Sequence, residues 1–397
     1  MLATRLDQID ERLLSQLCSD ECPESQTLDF KFSLPRKDEP GKVEFAKDVC
    51  AFANADGGEI VFGISDTQGR ASAPCPIDTE PSDAAQRRLI QTIDRLIEPR
   101  IVGVQFHTVP FGKAGYILLV RVPQSFDGPH RFATEGGASR FVIRVGTMTQ
   151  DLTYTQLRGA FDRTATLAAK ASDFRSSRIN AIKSGRTWKP MPDGVKWVVH
   201  LLPVSAMAGR TQIDIQALNS GSFAQFNQRG WGGVTRTLNL DGMAVHPAIR
   251  SEHEGRAYSY VQVFRSGVLE GSRFGGRLVD DRRIIPGGDM SAYFRERLTT
   301  FIAATRGFGV RGPAIMGAAL LDTAGYALGV FNPRSGMSEA SAVADRPDMV
   351  VPEAWIDDIE SVTDVDLLVR PLLDVLYQSF GIERCFEYDE RGQWVAR

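Results

Sequence analysis

CAFANADGGEIVFGISD, residues 50–66, decides how the first half of this chain is read. Small and apolar residues at helical spacing lead to Asn54, a glycine pair follows at Gly57 and Gly58, and an apolar strand runs out to Asp66. Asn and Gly tolerate the left-handed backbone at which helices stop, so the stretch predicts helix, tight reversal and buried strand. Working outward, KVEFAKDVCAFAN (42–54) places Val43, Ala46, Val49, Cys50 and Ala53 on one helical stripe. Upstream, TLDFKFS (27–33) alternates Leu28, Phe30 and Phe32 with Asp29, Lys31 and Ser33, the period of a half-buried strand. Asp29 and Lys31 therefore share a face. A leading helix is expected near residues 5–18, a further helix near 84–97, and strands in IVGVQFHTVPF, GYILLVRVP and RFVIRVG.

Length and composition bound the rest. A chain of 397 residues suits two domains, each able to bury its own core. With 43% hydrophobic and 24% charged residues it reads as globular, which excludes disordered and fibrous classes. The start, MLATRLDQIDERLLSQL, is acidic where a signal peptide is cationic and then apolar, and no apolar run approaches the roughly 18 residues of a membrane span. A cytoplasmic protein with no membrane partner is expected. Cys18, Cys22, Cys50, Cys75 and Cys385 are scattered and odd in number, which favours reduced thiols. Cys18 and Cys22 lack a second close Cys or His pair, so no structural zinc is expected.

The net charge of -3 excludes a uniformly basic nucleic-acid binder, but the charge is unevenly placed. From Arg158 to Lys196 cations dominate, among them Arg178, Lys183 and Arg186, against Asp162, Asp173 and Asp193. Those three cations are candidate phosphate contacts; the alternative is the solvated face of a connecting helix. The expected organisation is a first domain over 1–165, a basic helix and linker over 166–190, and a second α+β domain over 191–397. In that second domain VKWVVHLLPV, RTLNL, AYSYVQVFRSGVLEG, PAIMGAALLD and YALGVF read as strands, and 289–308 and 365–380 as helices. FNQRGWGG and FRSGVLEGSRFGGR combine aromatics, Gly and Arg and are either base and phosphate contacts or ordinary surface loops. The acidic 353–366 suggests a solvated or protein-binding surface, and a protein partner or homo-oligomer is expected through the C-terminal domain.

ESQTLDFKFS, FAKDVCAFANADGGEIVFGISDTQG, VPQSFDGPH and RFVIRVGTMTQDLTYTQL, in this order and spacing, resemble the signature segments of the Schlafen AlbA-type domain, also called divergent AAA. The resemblance covers roughly residues 20–165 and is strongest at Ala-Phe-Ala-Asn-x-x-Gly-Gly. It implies an α+β domain directed at nucleic acid, RNA in preference to DNA. In one branch it implies a metal-dependent endoribonuclease acting on tRNA or rRNA through three carboxylates, with a link to antiviral defence. Carried onto this sequence the carboxylates are Glu24, Asp29 and Asp66, expected to hold Mg²⁺ or Mn²⁺. The usual Glu before Phe-Lys is Asp29 here, which keeps the charge and shortens the reach by one methylene.

The chemistry is consistent with that assignment. Phosphodiester cleavage needs the phosphate charge neutralised and a water activated, and carboxylates holding a divalent ion supply both. Lys31, on Asp29's strand face, is a catalytic candidate that contacts the scissile phosphate, and Arg144 is a further phosphate contact or a salt-bridge partner. Each acid has a plain structural alternative: Asp66 opens a turn-like DTQG, Glu24 is a loop carboxylate, and Asp29 with Lys31 is a charge pair. Asn54 reads as a helix C-terminal residue, His130 as a candidate proton carrier, and His107 as a strand residue. No Gly-x-x-x-x-Gly-Lys-Ser/Thr run occurs, so ATP is not expected. The rival functions are a non-catalytic DNA- or RNA-binding regulator whose C-terminal domain senses a ligand or partner, and an interaction scaffold.

Overall fold

The computed structural model describes residues 6–395 apart from 113, 127, 134–135, 210, 229–230, 249–254, 311, 333–336 and 345. Parts of two stretches singled out above, positions 127 and 229–230, lie outside the described residues. The chain is a mixed α+β protein that divides into two units, Met1–Thr166 and Leu167–Arg397.

The first unit runs α1 (Glu11–Ser19), β1 (Leu28–Lys31), α2 (Glu39–Asn54), β2 (Gly58–Phe62), β3 (Ile64–Thr67), β4 (Arg70–Pro74) and α3 (Ser82–Leu96). It continues through β5 (Ile97–Glu98), β6 (Gln105–Pro110), β7 (Tyr116–Val122), β8 (Arg131–Ala133), β9 (Ser139–Arg140), β10 (Val142–Val145) and β11 (Met148–Asp151). Its main sheet has the order β1-β2-β7-β6, with β1 parallel to β2 and the other pairs antiparallel. A parallel pair needs a crossover, and α2 supplies it between β1 and β2. One sheet face packs Ile60, Phe62, Leu118 and Val120 under α2 and α3, while the other sets Leu28, Phe30, Val61 and Leu119 against α1.

The helix-to-strand reversal rests on both glycines, for different reasons. Gly57 has φ of +71°, the left-handed region, and a Cβ there would meet the Gln124 nitrogen at 2.6 Å. Gly58 is already extended, but its Cβ would lie 2.3 Å from the Phe52 ring. Asn54 does more than end α2. Its Nδ2 donates to the His130 and Val142 carbonyls, each at 2.8 Å, and its Oδ1 accepts from the His130 amide at 2.7 Å. The side chain thus ties the helix end to β10.

The reading of 27–33 as one alternating strand is corrected at its end. β1 stops at Lys31, so Phe32 leaves the apolar face and is 65% exposed. The strand expected in EIVFGIS is broken at Gly63, φ +100°, into β2 and β3.

Helix α4 (Tyr154–Lys183) is continuous across the division of the two units. The second unit holds β12 (Lys196–Pro203), α5 (Val204–Met207), α6 (Ile215–Ser220), β13 (Thr235–Leu238), β14 (Gly242–His246), β15 (Ser259–Phe264) and β16 (Leu269–Phe274). Then come β17 (Arg277–Val279), β18 (Arg282–Pro286), α7 (Gly287–Gly307), β19 (Ala314–Leu321), β20 (Tyr326–Asn332), β21 (Met337–Val343), β22 (Asp348–Val350), β23 (Ala354–Ile356) and α8 (Asp366–Gln378). An antiparallel sheet of order β13-β14-β15-β16-β12-β19-β22, with β23 also on β19, buries one face under α7 and α8. Its other face packs Val198 and Tyr260 against Ile179 and Ile182 of α4. A smaller sheet has the order β17-β18-β20-β21. Among the described residues no helix is long and apolar enough to cross a membrane.

Candidate functional site

The site is built on the open edge of the first unit's sheet. β1 is an edge strand, and unpaired edge amides and carbonyls need partners. Glu24 covers the edge amide, its Oε1 accepting from Phe30 N at 3.0 Å. Arg144 covers the carbonyls, its Nε donating to Ser25 at 3.2 Å and its Nη2 to Leu28 at 3.4 Å. The same Nη2 donates to Asp29 Oδ1 at 3.0 Å, and the guanidinium lies 4.6 Å from the centroid of the Phe52 ring. Lys31 Nζ stands 3.0 Å from Asp29 Oδ2, an ion-pair distance without hydrogen-bond alignment, and 3.6 Å from Asp48 Oδ2. Asp29 is therefore clamped between two cations, one buried and one partly exposed.

Asp48 was missed by sequence reasoning. It lies on α2 between Phe45 and Phe52, on a buried face where an acid is costly unless paired. An ionisable residue on the apolar stripe of FAKDVCAFAN was the signal available. Asp66, in contrast, sits in the exposed hairpin of β3 and β4. That hairpin is joined to the Glu24 segment by the Glu24 amide donating to the Gly69 carbonyl at 2.8 Å.

The electrostatics follow from burial and proximity. Burial first of all raises the Glu24 pKa; the Phe30 amide opposes this, and Asp29 and Asp66 add to it. Burial likewise raises Asp48, with Lys31 opposing and Asp29 reinforcing. For Lys31 burial favours the neutral amine, but Asp48 and Asp29 outweigh it and the pKa ends above its ordinary value. Glu24, Asp29, Asp48 and Asp66 outnumber Lys31 and Arg144, the cations that ion-pair with them, so the charge balance favours a further cation. The ligand geometry does not supply one with a seat. Among the described residues no group of three or more His, Cys, Asp or Glu side chains could hold a metal ion. A hard divalent ion needs oxygens converging at roughly 2.0–2.6 Å, whereas both oxygens of Asp29 face cations of the protein. Glu24, Asp29 and Asp66 thus do not fit a three-ligand Mg²⁺ or Mn²⁺ centre as they stand.

The structure brings Glu24, Asp29, Lys31 and Arg144 together, sets Asp66 on the adjoining hairpin close enough to raise the Glu24 pKa, and leaves the remaining candidates elsewhere. Arg144 is 3% exposed and ion-pairs with Asp29, the salt-bridge alternative of the sequence reading. His130 is buried, its Nδ1 donating to the Pro99 carbonyl at 2.7 Å, and His107 is a β6 residue with Nε2 3.0 Å from the Ile9 carbonyl oxygen. Arg178 belongs to the second unit, where its guanidinium donates twice to the buried Glu270 carboxylate at 2.9 and 3.0 Å. Lys183 pairs with Asp348. Arg186 is exposed and donates to Ser184 Oγ at 2.9 Å. Among these three, Arg178 and Lys183 tie α4 to its own sheet.

Residues 24–153 match the family model Schlafen, AlbA_2. The first unit carries a Schlafen AlbA_2 domain. The matched span includes Glu24, Asp29, Lys31, Asp48, Asp66 and Arg144, and the family points to a nucleic-acid-related function. Two solved structures are similar to this chain at 19% identity. One, a protein from Corynebacterium diphtheriae, has a TM-score of 0.23, with 32% of this chain and 25% of that chain covered. The other, the N-terminal domain of a RecG-related protein from Nitrosomonas europaea, has a TM-score of 0.25, with 35% of this chain and 93% of that chain covered. The match thus spans a quarter of the first of these proteins and nearly all of the second domain. No curated protein matches the chain.

Proposed function

We propose that the AlbA_2 domain binds nucleic acid along the edge of β1, with RNA favoured over DNA. The observation that carries this reading is Lys31, whose side chain is 38% exposed while its ammonium is anchored by Asp29 and Asp48 inside the family span. Its raised pKa keeps it charged at neutral pH, and the two carboxylates reduce the entropy lost when it meets a phosphate. Fluorescence anisotropy with single-stranded RNA, single-stranded DNA and duplex, for wild type and Lys31→Gln, tests it. The variant is expected to weaken binding on all sequences alike and to lower the salt slope by about one. Equal affinities for wild type and variant would remove Lys31 from the interface.

A metal-dependent endoribonuclease using Mg²⁺ or Mn²⁺ is the second reading, favoured by the nearness of Asp29 and Asp66 to Glu24, whose pKa both help to raise. Such an ion would have to displace Lys31 or Arg144 from Asp29, whose two oxygens both face cations of the protein. Incubating the protein with total tRNA and Mn²⁺, with and without EDTA, tests this reading beside Asp29→Ala and Asp66→Ala. RNA that stays intact in every arm while binding persists would leave the binding function alone.

A further inference from the structure

We infer that the cleft beside Lys31 is a subsite for one unpaired nucleobase, with Phe32 as its stacking face; this rests on the nucleic-acid reading above and names the form of the ligand. The cleft has a volume of about 220 Å³. That is below the roughly 300–1,000 Å³ of pockets for drug-sized molecules and suits a single ring system. Its apolar lining includes Phe45 and Phe62, both buried, with ring centroids 6.1 Å apart. Phe32 also lines it and is 65% exposed. An aromatic ring left in water at the end of a strand has lost burial that its sequence pattern promised, and base stacking would recover it.

Charge completes the fit to a nucleotide and not to a plain apolar ligand. Lys31 and Arg36 lie on the same lining, with side chains 38% and 70% exposed; the Arg36 Nε stands 3.7 Å from Asp38 Oδ1, and a guanidinium with five N–H donors has others to offer a phosphate. Glu44, also on the lining and exposed, is an acceptor for the exocyclic amino group of cytosine or adenine, as acidic side chains are for cytosine N4 in groove recognition. Bases in a duplex hide their faces in the stack, so a subsite of this kind selects single strands, loops or ends.

Anisotropy titrations with a fluorescein-labelled oligo(C) strand, oligo(U), and a duplex, on wild type, Phe32→Ala and Phe32→Trp, test the inference. Phe32→Ala is expected to lose about tenfold in affinity for the single strand and nothing for duplex. Phe32→Trp should keep the affinity and show Trp quenching on binding oligo(C), and wild type should prefer oligo(C) to oligo(U). Because Phe32 is exposed, both variants should retain the wild-type circular dichroism and unfolding midpoint. Unchanged single-strand affinity in Phe32→Ala, or an equal loss on strand and duplex, would overturn the base subsite while leaving nucleic-acid binding in place. Failure of wild type to bind any of the three probes would overturn both.

Discussion

At the scale of single residues, the site holds two acids, Glu24 and Asp48, that burial makes reluctant to ionise. Asp48 is buried on α2, and its ion-pair partner Lys31 is shared with Asp29. An acid whose native pKa is raised binds its proton more tightly in the folded state than in the unfolded one. Its contribution to stability is fully present below the ordinary value, 3.8 for Asp, and is lost as pH rises through the raised value. Glu24, raised above 4.5, acts with the same sign. Asp48→Asn removes one of these titrations while keeping the size of the side chain. Urea unfolding from pH 3.8 to neutrality is expected to show stability falling less with pH in Asp48→Asn than in wild type. A steeper fall in the variant would contradict a raised Asp48.

At the scale of elements, the chemistry depends on a relay from a glycine to a carboxylate. Gly58 leaves room for the Phe52 ring, the ring underlies the Arg144 guanidinium, and Arg144 holds Asp29 and the carbonyls of Ser25 and Leu28. Asn54 adds a second support by bonding the Val142 carbonyl two residues before Arg144. Gly58→Ala inserts a methyl against a ring that is wholly buried. Overpacking of this kind costs about 1–3 kcal/mol, measurable as a lowered urea midpoint. Because the displaced ring carries Arg144, nucleic-acid affinity should fall as well. A loss of stability with unchanged affinity would show that the relay ends at Phe52.

The second unit shows the same element-scale logic in its own sheet. Gln262, Glu270, His200 and Gly317 are register partners across β15, β16, β12 and β19. Arg175 and Arg178, three residues apart on α4, dock on this polar row. Arg178 pairs with Glu270, which is held at about 2: burial pushes its pKa up, and the hydrogen bonds from Arg178 and His200 outweigh that. The Arg175 guanidinium fills the space that Gly317 leaves, 2.5 Å from where a Cβ would stand. Arg178 and Lys183, candidate phosphate contacts in the linear sequence, pair here with acids of the sheet under their own helix.

At the scale of the whole molecule, the net charge of -3 limits how nucleic acid is held. Lys31 and Arg36 are the cations identified beside the candidate cleft, which predicts neutralisation of about two phosphates. Log affinity against log salt should then have a slope of roughly -1.4 for a single strand. Anisotropy titrations across a salt series provide the slope. A value several times steeper would place the nucleic acid on some other, more basic surface.

The α+β class, the helix–Gly-Gly–strand order and the adjacency of Asp29 to Lys31 were legible in the sequence, because they depend on local periodicity and on backbone preferences of Asn and Gly. The AlbA_2 resemblance was legible for the same reason, since its segments are local patterns in a constant order. Tertiary structure decided the rest. Which acids meet depends on register and edge position: Glu24 and Arg144, far apart in the chain, converge because both satisfy the open backbone of one edge strand, and Asp48 joins them from a neighbouring helix. Whether a cation is free or spent also depends on partners remote in sequence, as Arg178 with Glu270 shows. Periodicity reports which face a side chain takes, whereas long-range pairing determines what it finds there.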